Sequence, residues 1–362
     1  MIEVMDGGLL TTVQDIGRNG HLRFGVPESG AMDKFAFRAA NILVGNLQDA
    51  ACIEMVITGP RLKFLANFTI SLTGANLTPK INGSNIALWE SIDVLSGSVL
   101  EFGNTTSGAR CYLAVNGGID VPIVLGSRST YLMGGFGGFA GRALKMGDNI
   151  NILSNDTQPV SRKLPQEQVP VYKRNHIVRV IMGPQDEYFT EEGIKNFLDG
   201  EYCIGNQSNS MGYRLSGPNI EHKSSADVVS DAVPLGAIQV PGDGQPIILM
   251  TDRGPTGGDA KIAVVISADI YKLAQAFPGD VVSFQKVTVE DAHMASDKQE
   301  TSLNMINISS ISRFHIEING DVYEVDAELE LEGNDDRVLS PFVTSLTHLQ
   351  KKYNIEVQSI DE

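Results

Sequence analysis

The sequence predicts a mainly β protein: two related β-barrel halves with a few short helices, followed by a small acidic α+β extension. Three observations carry this. Short apolar runs such as Phe68-Thr-Ile-Ser-Leu72, Val99-Leu-Glu-Phe102 and Arg110-Cys-Tyr-Leu-Ala-Val115 are bounded by Gly, Asn and Ser, with no long helical period between them. A chain of 362 residues exceeds what one hydrophobic core usually holds, and a polar stretch bearing Pro159, Pro165 and Pro170 divides it. The two parts also share a grammar: Gly59-Pro60 answers Gly217-Pro218, while Gly97-Ser98 and Gly147-Asp148 answer Gly279-Asp280. The expected division is a first barrel over 1–155, a linker over 156–175, a second barrel over 176–290, and a linker with a small extension over 291–362.

Taken in order, the first half holds one convincing helix, from Asp33 as N-cap to Val44, with Gly45 as its stop and Phe35, Ala36, Ala39, Ile42 and Leu43 on its inner face. Arg38 and Asn41 share that helix, so one or both are expected to be buried and paired. Asn82-Gly83 is a two-residue hairpin turn. In the second half a strand covers Ile177 to Met182, one helix follows Thr190, and another follows Ser267 and ends before Pro278-Gly279. After Val289 comes a polar tract. Then a hairpin turns at Asn319-Gly320, setting Ile316 opposite Tyr323 and Phe314 opposite Val325. Ser340-Pro341 starts a predicted helix with Phe342, Leu346, Leu349 and Tyr353 on one side, and Ile355 to Val357 returns as a third strand.

Composition narrows the function. A formal charge of −16 argues against nucleic acid and anionic membrane as partners, since neutralising phosphates needs a basic surface. From Glu290 onward there are sixteen acids against five Lys and Arg, so most of the surplus sits in the extension. Cys52, Cys111 and Cys203 are far apart, and the histidines form no ligand-like pair, so neither disulfides nor a protein-held metal is expected. No signal peptide or window of ~20 apolar residues is present, and a cytoplasmic protein is the expectation.

Three clusters of polar side chains and glycines stand out. In the first, Gln14, Asp15 and Arg18 surround Gly17; they read either as a polar ligand site or as an Asp–Arg pair holding a turn. The second runs through Asn116-Gly117-Gly118, Ser127-Arg128-Ser129-Thr130 and the glycine-dense 134–141 to Arg142. Its amides, hydroxyls and arginines suit an anion, or the loop is simply tightly turned; it is neither a Walker loop nor a dinucleotide fingerprint. The third places Gln239, Gln245, Asp252, Arg253, Thr256, Gly257, Gly258 and Lys261 between strands that read as buried. Polar groups there must be satisfied or cost ~1–3 kcal/mol each, which favours a site.

Together these motifs carry a resemblance. TTVQDIGRNGHLRFGVPESGAMD from Thr11, NGGIDVPIVLGSRSTY from Asn116, GRALKMGD from Gly141, MGYRLSGP from Met211, GAIQVPGDGQPIILMTDR from Gly236 and TGGDAKIAVVISAD from Thr256 resemble the biotin-dependent carboxyltransferase family. That family includes the C subunit of bacterial ATP-dependent 5-oxoprolinase, the KipA proteins, allophanate hydrolase subunit 2 and the carboxyltransferase domain of urea carboxylase. The resemblance implies two cyclophilin-like β-barrels with a cleft between them. It also implies a complex, formed with KipI-type and LamB/YcsF-type subunits, that opens 5-oxo-L-proline to L-glutamate with ATP. The alternatives are a KipA-like regulator that binds a KipI-type kinase inhibitor, and carboxyl transfer from carboxybiotin to urea or a related amide. Biotin is not expected to be attached, because no Ala-Met-Lys-Met acceptor is present.

On this reading Asp15, Asp252 and Lys261 handle protons and Arg18, Arg128 and Arg253 hold anions. Gln14, Gln239 and Thr256 orient the substrate, and Ser127, Arg142, Gly257 and Gly258 complete the lining. Two departures from the family pattern fall close by. Ser210 stands where the family carries arginine, and Gly254 to Lys261 replaces a run resembling Gln-Thr-Thr-Gly-Gly-Tyr-Pro-Lys.

Overall fold

The computed structural model describes residues 1–153 and 161–306 with their side chains; beyond them it gives the end of a helix and the backbone of strands Ser310–Ile318, Asp321–Glu328, Phe342–His348 and Lys351–Val357. The fold is mainly β, with four α-helices among the described residues.

Strands between Ile2 and Ile152 form a seven-stranded and a five-stranded sheet. At the centre of the smaller sheet, Ser107–Val115 pairs with Cys52–Val56 on one side and Phe68–Asn76 on the other. Both long strands are buried on two faces, and the two-residue period sorts their side chains. Ile70, Leu72, Cys111, Leu113 and Val115 enter the core between the sheets, while Tyr112 and Ala114 pack beneath the first helix. That helix, α1 (Lys34–Leu43), is capped by Asp33, whose carboxylate accepts from the Ala36 amide at 2.9 Å. The alternate polar positions meet its carbonyls: Ser71 donates to Ala40 and Thr73 to Ala36. Asn41 is buried and donates to the Ala50 carbonyl, and Arg38 pairs with Glu300 at 2.5 Å. The Asn82-Gly83 turn joins Lys80–Ile81 to Ser84–Asn85.

Strands from Asn175 to Lys286 close into a seven-stranded barrel, sealed by a parallel pairing of Asn175–Val180 with Val281–Lys286. α2 (Glu191–Asp199) starts at Thr190, which accepts from the Gly193 amide. α3 (Ile270–Ala274) continues a 3-10 turn from Ser267 and stops before Pro278-Gly279.

The two halves are joined by buried polar contacts. Gln275, at the end of α3, accepts from the Ala109 and Arg110 amides and donates to Asp33 and to the Arg110 carbonyl, so its amide is saturated by the first half. Arg110 reaches back to the Tyr213 hydroxyl and the Ala274 carbonyl. Met32, beside the α1 cap, packs into the barrel core. Burial drives the Asp33 carboxyl up to about 6, against the hydrogen bonds from Ala36, Gln275 and Tyr172 that favour its ionised form.

Two expectations about the extension are corrected. The polar tract after Val289 is a twenty-residue helix, α4 (Val289–Ile308). Thr288 and Asp291 exchange hydrogen bonds at its start, a capping-box arrangement. Its apolar face is sparse, and tertiary contacts hold it: Leu303 and Ile306 pack under α1, and Glu300 meets Arg38. The helix predicted after Ser340-Pro341 is absent, because Phe342–His348 is a strand paired with Lys351–Val357. The helical spacing of Phe342, Leu346 and Tyr353 competes there with β-branched Val343, Thr344, Thr347, Ile355 and Val357, and strand pairing wins. Positions 340, 341 and 349 lie outside the described residues. The hairpin register, Phe314 opposite Val325 and Ile316 opposite Tyr323, is the expected one. Residues 154–160 of the expected linker lie outside the described residues; after them Ser161–Arg162 pairs with Ser310–Ile311 and Leu164 is buried.

Candidate active site

The first cluster is built on a crossing of two glycines. Gly17 and Gly30 both have positive φ, and a Cβ on Gly30 would meet the Gly17 backbone at 2.8 Å. This close approach lets the Arg18 amide donate to the Glu28 carbonyl and the Ala31 amide to that of Asp15. Ser29, between them, is held at φ 54° with its amide on the Thr251 carbonyl of the barrel half. A non-glycine residue in this region carries ~1–3 kcal/mol of strain, a cost that the crossing imposes at the seam between the halves.

Asp15 is fully engaged. Its Oδ1 accepts from the Gly17 amide and from the Ser127 and Ser129 hydroxyls, and its Oδ2 accepts from the Arg128 amide. Ser127 and the Arg128 backbone therefore hold a carboxylate of the protein itself. Arg128 also donates from Nε to the Val121 carbonyl. A cavity of about 690 Å³ adjoins this turn, with Asp15, Gly17, Asn46, Gly117 and Arg128 in its wall.

Arg18 differs. It is completely buried; Nη2 donates to the Ser129 carbonyl at 2.5 Å, and the guanidinium lies 5.0 Å from the Phe136 ring centroid. Gly137 makes room, since a Cβ there would come within 2.8 Å of Nη2. Nε and Nη1 have no hydrogen-bond partner among the described residues. Burial lowers the affinity of Arg18 for its proton, opposed by the charges of Asp15 and then Asp252.

Asp252 comes from the barrel half. Ser210 donates to its Oδ2 at 2.6 Å, while its buried Oδ1 has no partner among the described residues. Burial raises its carboxyl above the usual range, countered by the Ser210 hydroxyl, by the nearby Ser29 hydroxyl, which stands outside hydrogen-bond geometry, and by the charges of Arg18 and Arg110. Arg18 and Asp252 come from opposite halves, and the charge of each favours the ionised form of the other. Lys34, at the start of α1, is desolvated near Glu28, Arg253 and Asp15, which lowers its ammonium. Sequence reading missed Ser29, Lys34 and Ser210 as site residues; only the family departure at Ser210 offered a signal.

The remaining predicted residues are placed elsewhere or spent on the scaffold. Arg253 donates to the Val233 and Met250 carbonyls and to Glu28 at 3.1 Å, pinning the two halves together. Gln14 donates to Thr12 and to the Thr130 carbonyl, leaving its buried Oε1 without a partner among the described residues. Gln239 donates to the Asp259 carbonyl and packs against Gly257, where a Cβ would lie 2.3 Å from its amide nitrogen. Lys261 is buried and pairs with Asp231 at 3.1 Å. Thr256 and Gly257 pair with Asp231–Ala232 in a two-stranded ribbon that also carries Gly258. The partners of Gln239, Lys261, Thr256 and Gly257 all lie in the barrel half. Arg142 forms a two-pronged pair with Asp148, 2.7 and 2.8 Å, near the loop 145–148.

Four amides of the glycine-dense loop are committed within the loop. The amides of Gly135, Phe136, Gly141 and Arg142 donate to carbonyls within the loop, at Leu132, Tyr131, Gly137 and Phe139. A phosphate would find those donors already used. Among the described residues there is no grouping of metal-ligating side chains, and no helix is long and apolar enough to cross a membrane.

Comparison with known proteins agrees with this architecture. The chain is 35% identical over 300 residues to the C subunit of 5-oxoprolinase from Escherichia coli, covering 83% of this chain and 96% of that one. It is 34% identical over 330 residues to urea amidolyase of Saccharomyces cerevisiae, covering 86% of this chain but only 18% of that protein. The crystal structure of Kluyveromyces lactis urea carboxylase superposes with a TM-score of 0.81 at 33% identity, over 95% of this chain and 32% of that chain. The family model for the carboxyltransferase domain, subdomains A and B, matches residues 24–286, a span that contains both sheets' central strands and the whole barrel, and the chain belongs to that family.

Proposed function

We propose that this protein is a subunit of an ATP-dependent 5-oxoprolinase that opens 5-oxo-L-proline to L-glutamate, active in complex with a KipI-type and a LamB/YcsF-type partner. The observation that carries the reading is the unused hydrogen-bonding capacity of two buried charged groups from opposite halves, Arg18 and Asp252. The match over 96% of a 5-oxoprolinase C subunit supports the choice of reaction. A lactam is unreactive, so ATP must activate it before the ring opens. In this reading Arg18 supplies positive charge where the carbonyl oxygen becomes negative as water adds, and Asp252 accepts the lactam N–H hydrogen bond and passes a proton to nitrogen as the C–N bond breaks. Four amides of the glycine-dense loop are already used, and the nucleotide is assigned to one of the partners.

A second reading, carboxyl transfer from carboxybiotin to urea, is favoured by the match with urea amidolyase and by the fit to urea carboxylase over 95% of this chain. The test is reconstitution of the complex from its three subunits, following ADP release and glutamate formation with 5-oxoproline, urea and allophanate in parallel. ADP release that depends on 5-oxoproline supports the first reading. Turnover of urea only, with carboxybiotin supplied, sinks it.

A further inference from the structure

We infer that the cavity of about 690 Å³ in the first half is a binding site for an aliphatic monocarboxylate, held by the Arg128 guanidinium. Its wall comes from residues between Asp15 and Leu153, so it belongs to the first half alone and includes neither Arg18 nor Asp252. The inference is independent of the reaction proposed above. The Arg128 side chain is partly buried, spends Nε on the Val121 carbonyl at 3.1 Å, and makes no other hydrogen bond or ion pair among the described residues. Nη1 and Nη2 therefore keep the donors that grip a carboxylate. Asp15 accepts from the Arg128 amide and Val121 from Nε, so the guanidinium is held in place before a ligand arrives.

The rest of the wall limits the ligand's charge and shapes its body. The Gly17 and Gly117 amides donate to the side chains of Asp15 and Asn46, and those of Gly45 and Gly118 donate to the Ile42 and Val115 carbonyls. Arg128 is the only Lys or Arg among the described residues of the wall, which also carries Asp15 and Asp49. One cation among two acids suits a single negative charge; a phosphate dianion or a dicarboxylate would bring a second charge with nothing to balance it. Ile16, Leu47, Ile119, Ile123 and Leu153 supply apolar surface, and Leu47 is 80% and Ile123 60% exposed. A hydrocarbon chain of medium length takes that surface out of water, whereas acetate reaches the guanidinium and leaves it wet.

The test is equilibrium binding to the full chain by titration calorimetry with four probes: octanoate, octanamide, acetate and inorganic phosphate. Octanoate should bind saturably and at least tenfold more tightly than each of the other three, which lack in turn the charge, the apolar body and the single negative charge on a hydrocarbon chain. Arg128→Gln should lower octanoate affinity at least tenfold, to the level of octanamide. Because Arg128 also holds the Val121 carbonyl, a second variant guards against misfolding: Ile123→Asp, at an exposed position, puts a third acid in the wall and should abolish octanoate binding. Asp252→Asn should leave octanoate affinity within twofold of the wild type, and a larger loss there would place the binding in the proposed active site and overturn the assignment. So would equal affinity for octanoate and octanamide, full affinity in a folded Arg128→Gln or Ile123→Asp variant, or no saturable binding of octanoate.

Discussion

Asp15 and Asp252 lie at the same seam and act on the same arginine, yet they are opposite kinds of carboxylate. Asp15 gathers a backbone amide from its own turn, another from Arg128 and two serine hydroxyls, so it organises the loop around it. Asp252 has one serine and a buried oxygen with no partner among the described residues. The difference teaches that a buried acid is a scaffold element when donors converge on it and keeps accepting capacity when they do not. Residue type and burial alone do not separate the two.

The strongest way to break this comparison is to remove Asp15. Asp15→Ala strands four donors, and a loss of ~3–5 kcal/mol in urea denaturation is expected; a loss under about 1 kcal/mol would show that the loop does not depend on it. Asp252→Asn should leave stability within about 1 kcal/mol but lower turnover of the reconstituted complex by ~100-fold, or ~3 kcal/mol. With burial raising the Asp252 carboxyl, the acid limb of kcat/KM should lie above the usual carboxylate range in the wild type and vanish in the variant.

A third carboxylate sharpens the contrast, since Asp33 is buried and well bonded yet raised to about 6. Its folded form binds the proton more tightly than the unfolded chain, so its contribution to stability is present at low pH and is lost as pH rises through about 6. Relative to Asp33→Asn, the wild type should lose ~2 kcal/mol between pH 4.5 and 7.5, measured by urea denaturation at both; a difference that does not change with pH would show that Asp33 titrates normally. The smallest effect is expected at Lys261, whose partner Asp231 is half-exposed. Lys261→Met should leave the urea-denaturation midpoint near the wild-type value, because methionine of similar volume replaces a buried ammonium whose partner carboxylate keeps its contact with water. If it also left turnover at the wild-type level, the barrel-half group would be scaffold and the site would reduce to the seam.

Much of the fold was legible because local chemistry and tertiary need coincide. The Asp33 cap, the Gly45 stop, the Asn82-Gly83 turn and the hairpin register after Ser310 each follow from a residue whose own backbone or side chain fixes the geometry. α4 was not legible, since its apolar face is too thin to announce itself and contacts with α1 stabilise it. The Phe342 region failed for the converse reason, as a helix-like spacing occupies residues whose partner strand favours pairing.

For the site, the sequence by itself determined the inventory: glycines that allow the crossing at Gly17, an arginine and two aspartates, and motifs that define the family. Only the tertiary structure decided which of these groups have capacity left for a ligand. That depends on donors supplied by Ser127, Ser129 and Ser210, which are distant in sequence from the acids they serve. A hydrogen bond is settled by distance and direction in space, and spacing along the chain carries no record of it.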